Sequence, residues 1–108
     1  MRSVVLLVGR LPGVVGGIAE KLQDMPVEWL GAHDRGEVIR QLEAEPEIAC
    51  VIMGAGLDDA IRGDLVGVIA RRRPDIPIHL KDRSSGSDGM APFVRRIVEG
   101  TILARTPV

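Results

Sequence analysis

The run Ile48-Ala49-Cys50-Val51-Ile52-Met53 is apolar at every position and ends in Gly54-Ala55-Gly56, after which Asp58 and Asp59 open a helical pattern. A strand with one face in water alternates apolar and polar residues. A strand that is apolar throughout must be covered on both faces, as at the centre of a parallel sheet flanked by helices. In open sheets of that kind, ligands bind beyond the carboxyl ends of the central strands, so residues 54–58 mark where a site should be sought.

The rest of the chain fits around that strand. Ser3 to Gly9 is a second unbroken apolar run and reads as a buried first strand. A helix should begin near Pro12, whose fixed φ and missing N–H suit a first helical position, with Val14, Ile18, Leu22 and Met25 as its inward face and Pro26 as its end. Gly16-Gly17 within it costs roughly 1 kcal/mol per glycine relative to Ala, which a close contact with the sheet or with a ligand would explain. Val27 to Ala32 reads as an edge strand. Asp34 with Glu37 forms a capping-box-like start for the helix that carries Val38, Ile39 and Leu42.

Asp58 or Asp59 caps a helix with the stripe Ile61, Leu65, Val68 and Ile69, closed by Arg71-Arg72-Arg73 at the negative end of its dipole. Ile76 to Leu80 is a fourth strand, followed by a polar loop from Ser84 to Gly89 and a helix from Met90 to Glu99. Gly100 can end that helix in the left-handed conformation. Thr101 to Arg105 either extends it or forms a fifth strand, and the Thr-Ile-Leu run favours the strand. The expected fold is an α/β three-layer sandwich with a central parallel sheet of four to five strands in the order 2-1-3-4.

At 108 residues the chain is read as a single domain, 1–108, with one core. Phe and Trp occur once each and Tyr not at all, so aliphatic side chains must fill that core and no aromatic platform exists for stacking bases. The net charge of −1 gives no attraction to a phosphate backbone. Both points argue against nucleic-acid partners. The single cysteine, Cys50, lies inside the apolar run and reads as a small buried hydrophobe. No Cys/His cluster has metal-ligand spacing, and the N-terminal apolar run is too short for a signal or a membrane span. A cytoplasmic protein with no metal and no cofactor is expected.

In element order and apolar runs the chain resembles the flavodoxin-like, Rossmann-like fold of response-regulator receiver domains across most of its length. That resemblance implies a signalling module, but the chemistry of phosphotransfer departs from the family's pattern. Where receivers carry an acidic pair after the first strand, this chain has Gly9 and Arg10; at the phosphoacceptor position it has Met53-Gly54. The Thr or Ser that ends the receiver's fourth strand corresponds to Leu80-Lys81, and the final receiver helix is missing. The resemblance thus implies a non-catalytic pseudo-receiver that works by binding a protein partner or by dimerising. The last strand or the helix from Met90 to Glu99 lies at the sheet's open side, so a homodimer through the C-terminal third is expected. Sensing of a small ligand is the other expectation.

Arg10, Lys81 and Arg83 should meet at the strand ends around Gly54, Ala55 and Gly56, a cationic rim suited to a small anion. Gly13 and Asp58, at the starts of the two following helices, complete the candidate set. The plainer alternative is that Lys81 and Arg83 pair with Asp58, Asp59 or Asp82 on the surface, where such pairs are worth about 0–1 kcal/mol. Val8 to Gly17 lies where dinucleotide folds place their glycines, but its spacing departs from Gly-x-Gly-x-x-Gly and Pro12 removes a donor. A nucleotide- or anion-binding small enzyme using this cleft is the rival function. His33 beside Asp34 invites an acid–base reading, although Asp34 is already explained as a cap. His79 is expected as a buried or edge histidine bonded to a neighbour. Ser84-Ser85-Gly86 lacks a nucleophile elbow.

Overall fold

The computed structural model describes residues 3–84 and 86–103. Strands β1 (Val4–Val8), β2 (Glu28–Ala32), β3 (Ile48–Met53) and β4 (Ile78–Leu80) form one parallel sheet in the order β2-β1-β3-β4. Helices α1 (Pro12–Lys21), α2 (Arg35–Ala44), α3 (Asp59–Arg72) and α4 (Met90–Thr101) fill the connections and the end of the described chain. The three-layer α/β architecture and strand order expected from the sequence are those observed.

Two cores result, one on each face of the sheet. Val4, Leu6 and Val8 of β1 join Val51 and Met53 of β3 beneath α2 and α3, where Val38, Leu42, Leu65 and Ile69 close the layer. Val5, Leu7, Cys50 and Ile52 face the other way, under Val15, Ile18 and Leu22 of the α1 region and Val94 and Val98 of α4. Every residue of β1 is buried, as its unbroken apolar run requires. Cys50 is a free, buried thiol. The β1–β3 register slips between Val4 and Val5, leaving Ala49 as an extra residue. That bulge lets Ile48 enter one core and Cys50 the other, although residues two apart in a regular strand share a face.

Caps follow the sequence. Asp34 accepts from Glu37 N at 2.8 Å and Glu37 Oε1 accepts from His33 N at 2.8 Å, while Asp58 accepts from Ile61 N at 2.8 Å. Two of the three arginines ending α3 tie it to its neighbours: Arg72 to Glu43 at 3.2 Å, and Arg73 to the Pro46 carbonyl at 3.1 Å.

Several expectations need correction. Residues 101–103 continue the helical path instead of opening a fifth strand, and Ala104 and Arg105 lie outside the described residues. Gly100 is helical, and among the described residues only Gly86 has a positive φ. Helix α1 faces the sheet through Val15, not Val14, and Ile61 is exposed because it lies in the first turn of α3. No close approach requires Gly16 or Gly17 to lack a side chain, since a Cβ on either would meet nothing within 4 Å. The close approach falls instead at Gly9 and Gly31, each of which would place a Cβ 2.9 Å from a Val15 methyl.

Candidate functional site

The connections leaving β1 and β3 pass to opposite faces of the sheet, and the chain opens on both sides of the point where they part. Arg10 and Gly56 stand on the crest between the two openings and line both. A Cβ on Gly56 would be 3.7 Å from Arg10 Cβ, so the two loops touch there.

The first opening, on the α1/α4 side, is a cleft of about 420 Å³. Leu7, Val15, Ile18 and Met90 form its floor and sides, with Leu11 and Val14 at the rim. Arg10, Gly54, Ala55, Gly56, Lys81 and Arg83 also line it, so most of the residues singled out in the sequence meet here. Gly13 does not contribute, and Asp58 lines the second cleft instead.

Lys81 departs from expectation: it is 2% exposed, not a surface cation. Strand alternation puts it on the face of His79 and Ile52, beneath α4, with its Nζ 5.9 Å from the centre of the Phe93 ring. The ammonium donates to Asp82 O at 2.8 Å and to Asp82 Oδ1 at 3.0 Å. Its backbone extends the β3–β4 pairing, with Lys81 N bonded to Met53 O at 2.9 Å and Lys81 O accepting from Arg62 Nη1 at 2.8 Å. Arg62, which the sequence reading passed over, is thereby the clamp between α3 and the end of β4. Its place one turn after the Asp58 cap was the only signal for it.

Arg83 donates to the Leu57 carbonyl at 2.9 Å and pairs with Asp59 at 2.8 Å. The pairings of Lys81 with Asp82 and of Arg83 with Asp59 are those of the plainer alternative. Arg10 is exposed and makes no hydrogen bond or ion pair among the described residues. The Gly54 amide is committed to Val8 O at 2.8 Å. At the start of α1, Val14 and Val15 both donate to Leu11 O, at 3.1 and 3.3 Å. Three of the backbone donors that a phosphate cradle could draw on, those of Gly54, Val14 and Val15, are therefore engaged within the fold.

The second opening, of about 600 Å³, lies on the α2/α3 side. His33, Asp34, Arg35, Asp58, Ile61 and Asp64 are among its lining. Apart from Arg10, its charged side chains already have structural roles: Asp34 and Asp58 are caps, and Arg35 pairs with Asp64 at 3.5 Å. His33 Nδ1 lies 3.0 Å from Gly9 O, so the imidazole bonds to the β1–α1 loop and not to Asp34. Among the described residues no group of three or more His, Cys, Asp or Glu is placed to hold a metal ion. His79 faces the α4 side, and its Nε2 is buried with no hydrogen-bond partner, which corrects the expectation of a bonded neighbour. Burial pushes its pKa below the usual imidazole value.

No known family model matches the chain, and no curated protein matches it in sequence. Among solved structures it is similar to a de novo designed Rossmann-fold protein, with a TM-score of 0.55 at 18% identity over 94% of this chain and 99% of that one. At that identity the likeness bears on the fold alone, and it agrees with the parallel Rossmann-like sheet described above. Among the described residues no helix is long and apolar enough to cross a membrane.

Proposed function

We propose that this chain is a non-catalytic, receiver-like sensing domain that binds a small ligand in the α1/α4 cleft and passes on its occupancy through protein contacts. One observation carries the reading. The cleft lies at the carboxyl ends of β1, β3 and β4, holds three cationic side chains, and includes no carboxylate, imidazole, thiol or hydroxyl side chain among its described lining. A concave apolar site with a few charged groups is the usual form of a small-molecule pocket. The rival reading, an enzyme acting in the same cleft, needs a group to move a proton. Lys81 is the one candidate, and Asp82 already holds its ammonium.

The receiver-like part of the reading rests on the order of strands and helices and on the end of β3. There the buried Met53 and then Gly54 stand where a phosphoacceptor would be needed. Signalling without phosphotransfer leaves ligand occupancy as the input. The test is amide chemical-shift mapping of the labelled protein against small metabolites grouped as anions, cations and neutral compounds. Saturable shifts clustered at Gly9, Val14, Gly54 and Met90 are expected for at least one group. Silence from every group removes the reading.

A further inference from the structure

We propose that the ligand of the α1/α4 cleft is an amphiphilic monoanion, an apolar body of about ten to fourteen non-hydrogen atoms ending in one carboxylate. The inference rests on reading this cleft as the ligand site, and it names the ligand class. The volume of about 420 Å³ sets the size, since a water-sized group occupies about 30 Å³.

The walls set the character of the body. Leu7, Val15, Ile18 and Met90 present hydrocarbon and thioether surface. Four large hydrophobic residues stand out as exposed among the described residues, and two of them, Leu11 at 55% and Val14 at 53%, rim this one cleft. Apolar side chains gathered on the rim of a concave site are taken out of water when an apolar ligand enters, and burial of their surface favours binding. The described wall includes no amide or hydroxyl side chain that would read the hydroxyls of a ribose or the edge of a base.

The head group follows from which cationic side chain remains. Lys81 is held by Asp82, and Arg83 by Leu57 O and Asp59. The amides of Gly54, Val14 and Val15 are used within the fold, and Pro12 has none. Of the three cationic side chains, Arg10 alone stands at the mouth without a partner among the described residues. A single guanidinium fork matches one carboxylate in two parallel hydrogen bonds. It does not neutralise a diphosphate or triphosphate. The carboxylate therefore sits at Arg10, on the crest beside Gly56, with the apolar body running down between α1 and α4.

Decanoate, decanol and inorganic phosphate are the probes, each titrated below any micelle concentration into the full chain and followed by amide shifts. Decanoate should give saturable shifts at Gly9, Leu11, Val14 and Met90, and phosphate none. Loss of the charged hydrogen bonds in Arg10→Ala should weaken decanoate binding about tenfold or more, and decanol should bind wild type as weakly as decanoate binds that variant. Val14→Glu, an exposed helical position, should abolish binding while leaving the melting temperature unchanged. If phosphate saturates the same amides while decanoate is silent, the amphiphile is overturned and the ligand-site reading survives. If Arg10→Ala binds decanoate as tightly as wild type, the assigned head group is overturned. If neither these probes nor any charge class of metabolite moves the cleft amides, both readings fall together.

Discussion

Gly9 lies so close beneath Val15 that a Cβ on it would stand 2.9 Å from Val15 Cγ2. That contact sets how deeply α1 settles on the sheet, because Val15 is the residue through which the first turns of the helix reach the core. A branched side chain has little χ1 freedom in a helix and cannot swing aside. Gly9→Ala should therefore destabilise the fold by about 1–3 kcal/mol, the usual range for overpacking. Gly31→Ala should act likewise through the other Val15 methyl. In a denaturation cycle, Val15→Ala should cost less in the Gly9→Ala background than in wild type, and strictly additive effects would contradict this account.

Arg62 is the second fixed point. Its Nη1 donates to Lys81 O at 2.8 Å, so removing it leaves the end of β4 short of a donor. Arg62→Ala should cost about 1–3 kcal/mol by urea unfolding. A neutral outcome would mean that water replaces the guanidinium without loss.

These two contacts mark how far the sequence could be read. β1 and β3 were legible because an apolar run without alternation admits only a two-sided burial, and the caps at Asp34 and Asp58 were legible because they are local. The face of α1 was not. Val14 and Val15 both fit helical spacing with Ile18, Leu22 and Met25, and the choice is made by Gly9 and Gly31, one of them on another strand. Lys81 carried a signal that charge obscured: two residues beyond His79, it must share that residue's face, and α4 passes over it. The Arg10, Gly54 and Lys81 meeting place was legible from topology. Its apolar character was not, because Leu11 and Met90 join it from separate parts of the chain.

Acetyl phosphate with magnesium should leave the protein unmodified. Met53 at the end of β3 is fully buried and Gly54 has no side chain, so a phosphoryl group has no carboxylate to attack it there. Intact-mass measurement is the check, and a stoichiometric phosphoryl adduct on an Asp would contradict the prediction.

Self-association through the C-terminal third remains a proposal, now with a narrower basis. Helix α4 already uses Val94 and Val98 to cover the sheet, so its inner face is not left over. The edge of β4 is, with Leu80 45% exposed on a strand that, among the described residues, pairs on one side only. Unpaired edges of this kind invite a second copy, in two-fold symmetry. Light scattering should show a dimer that Leu80→Lys converts to monomer. A wild-type monomer at high micromolar concentration would end the proposal.

The last prediction concerns pH. Burial lowers the His79 pKa, so the folded protein holds the ring neutral at pH values where the unfolded chain already binds a proton. For a group depressed in the folded state, the stabilising contribution is complete above the unfolded value of about 6.5 and declines as pH falls towards the lowered folded value. Unfolding free energy should therefore drop as pH is taken below about 6.5. Asp24 and Asp75, lowered by hydrogen bonds from Arg95 and Arg73, contribute in the same direction but only in the carboxylate range, so the two windows separate. His79→Leu should flatten the upper window, because the titrating ring is gone, and leave the lower one in place, because Asp24 and Asp75 keep their arginine partners. Urea melts at closely spaced pH values on both proteins provide the comparison. An unchanged slope in the variant would mean that His79 is solvated in solution and that another group titrates.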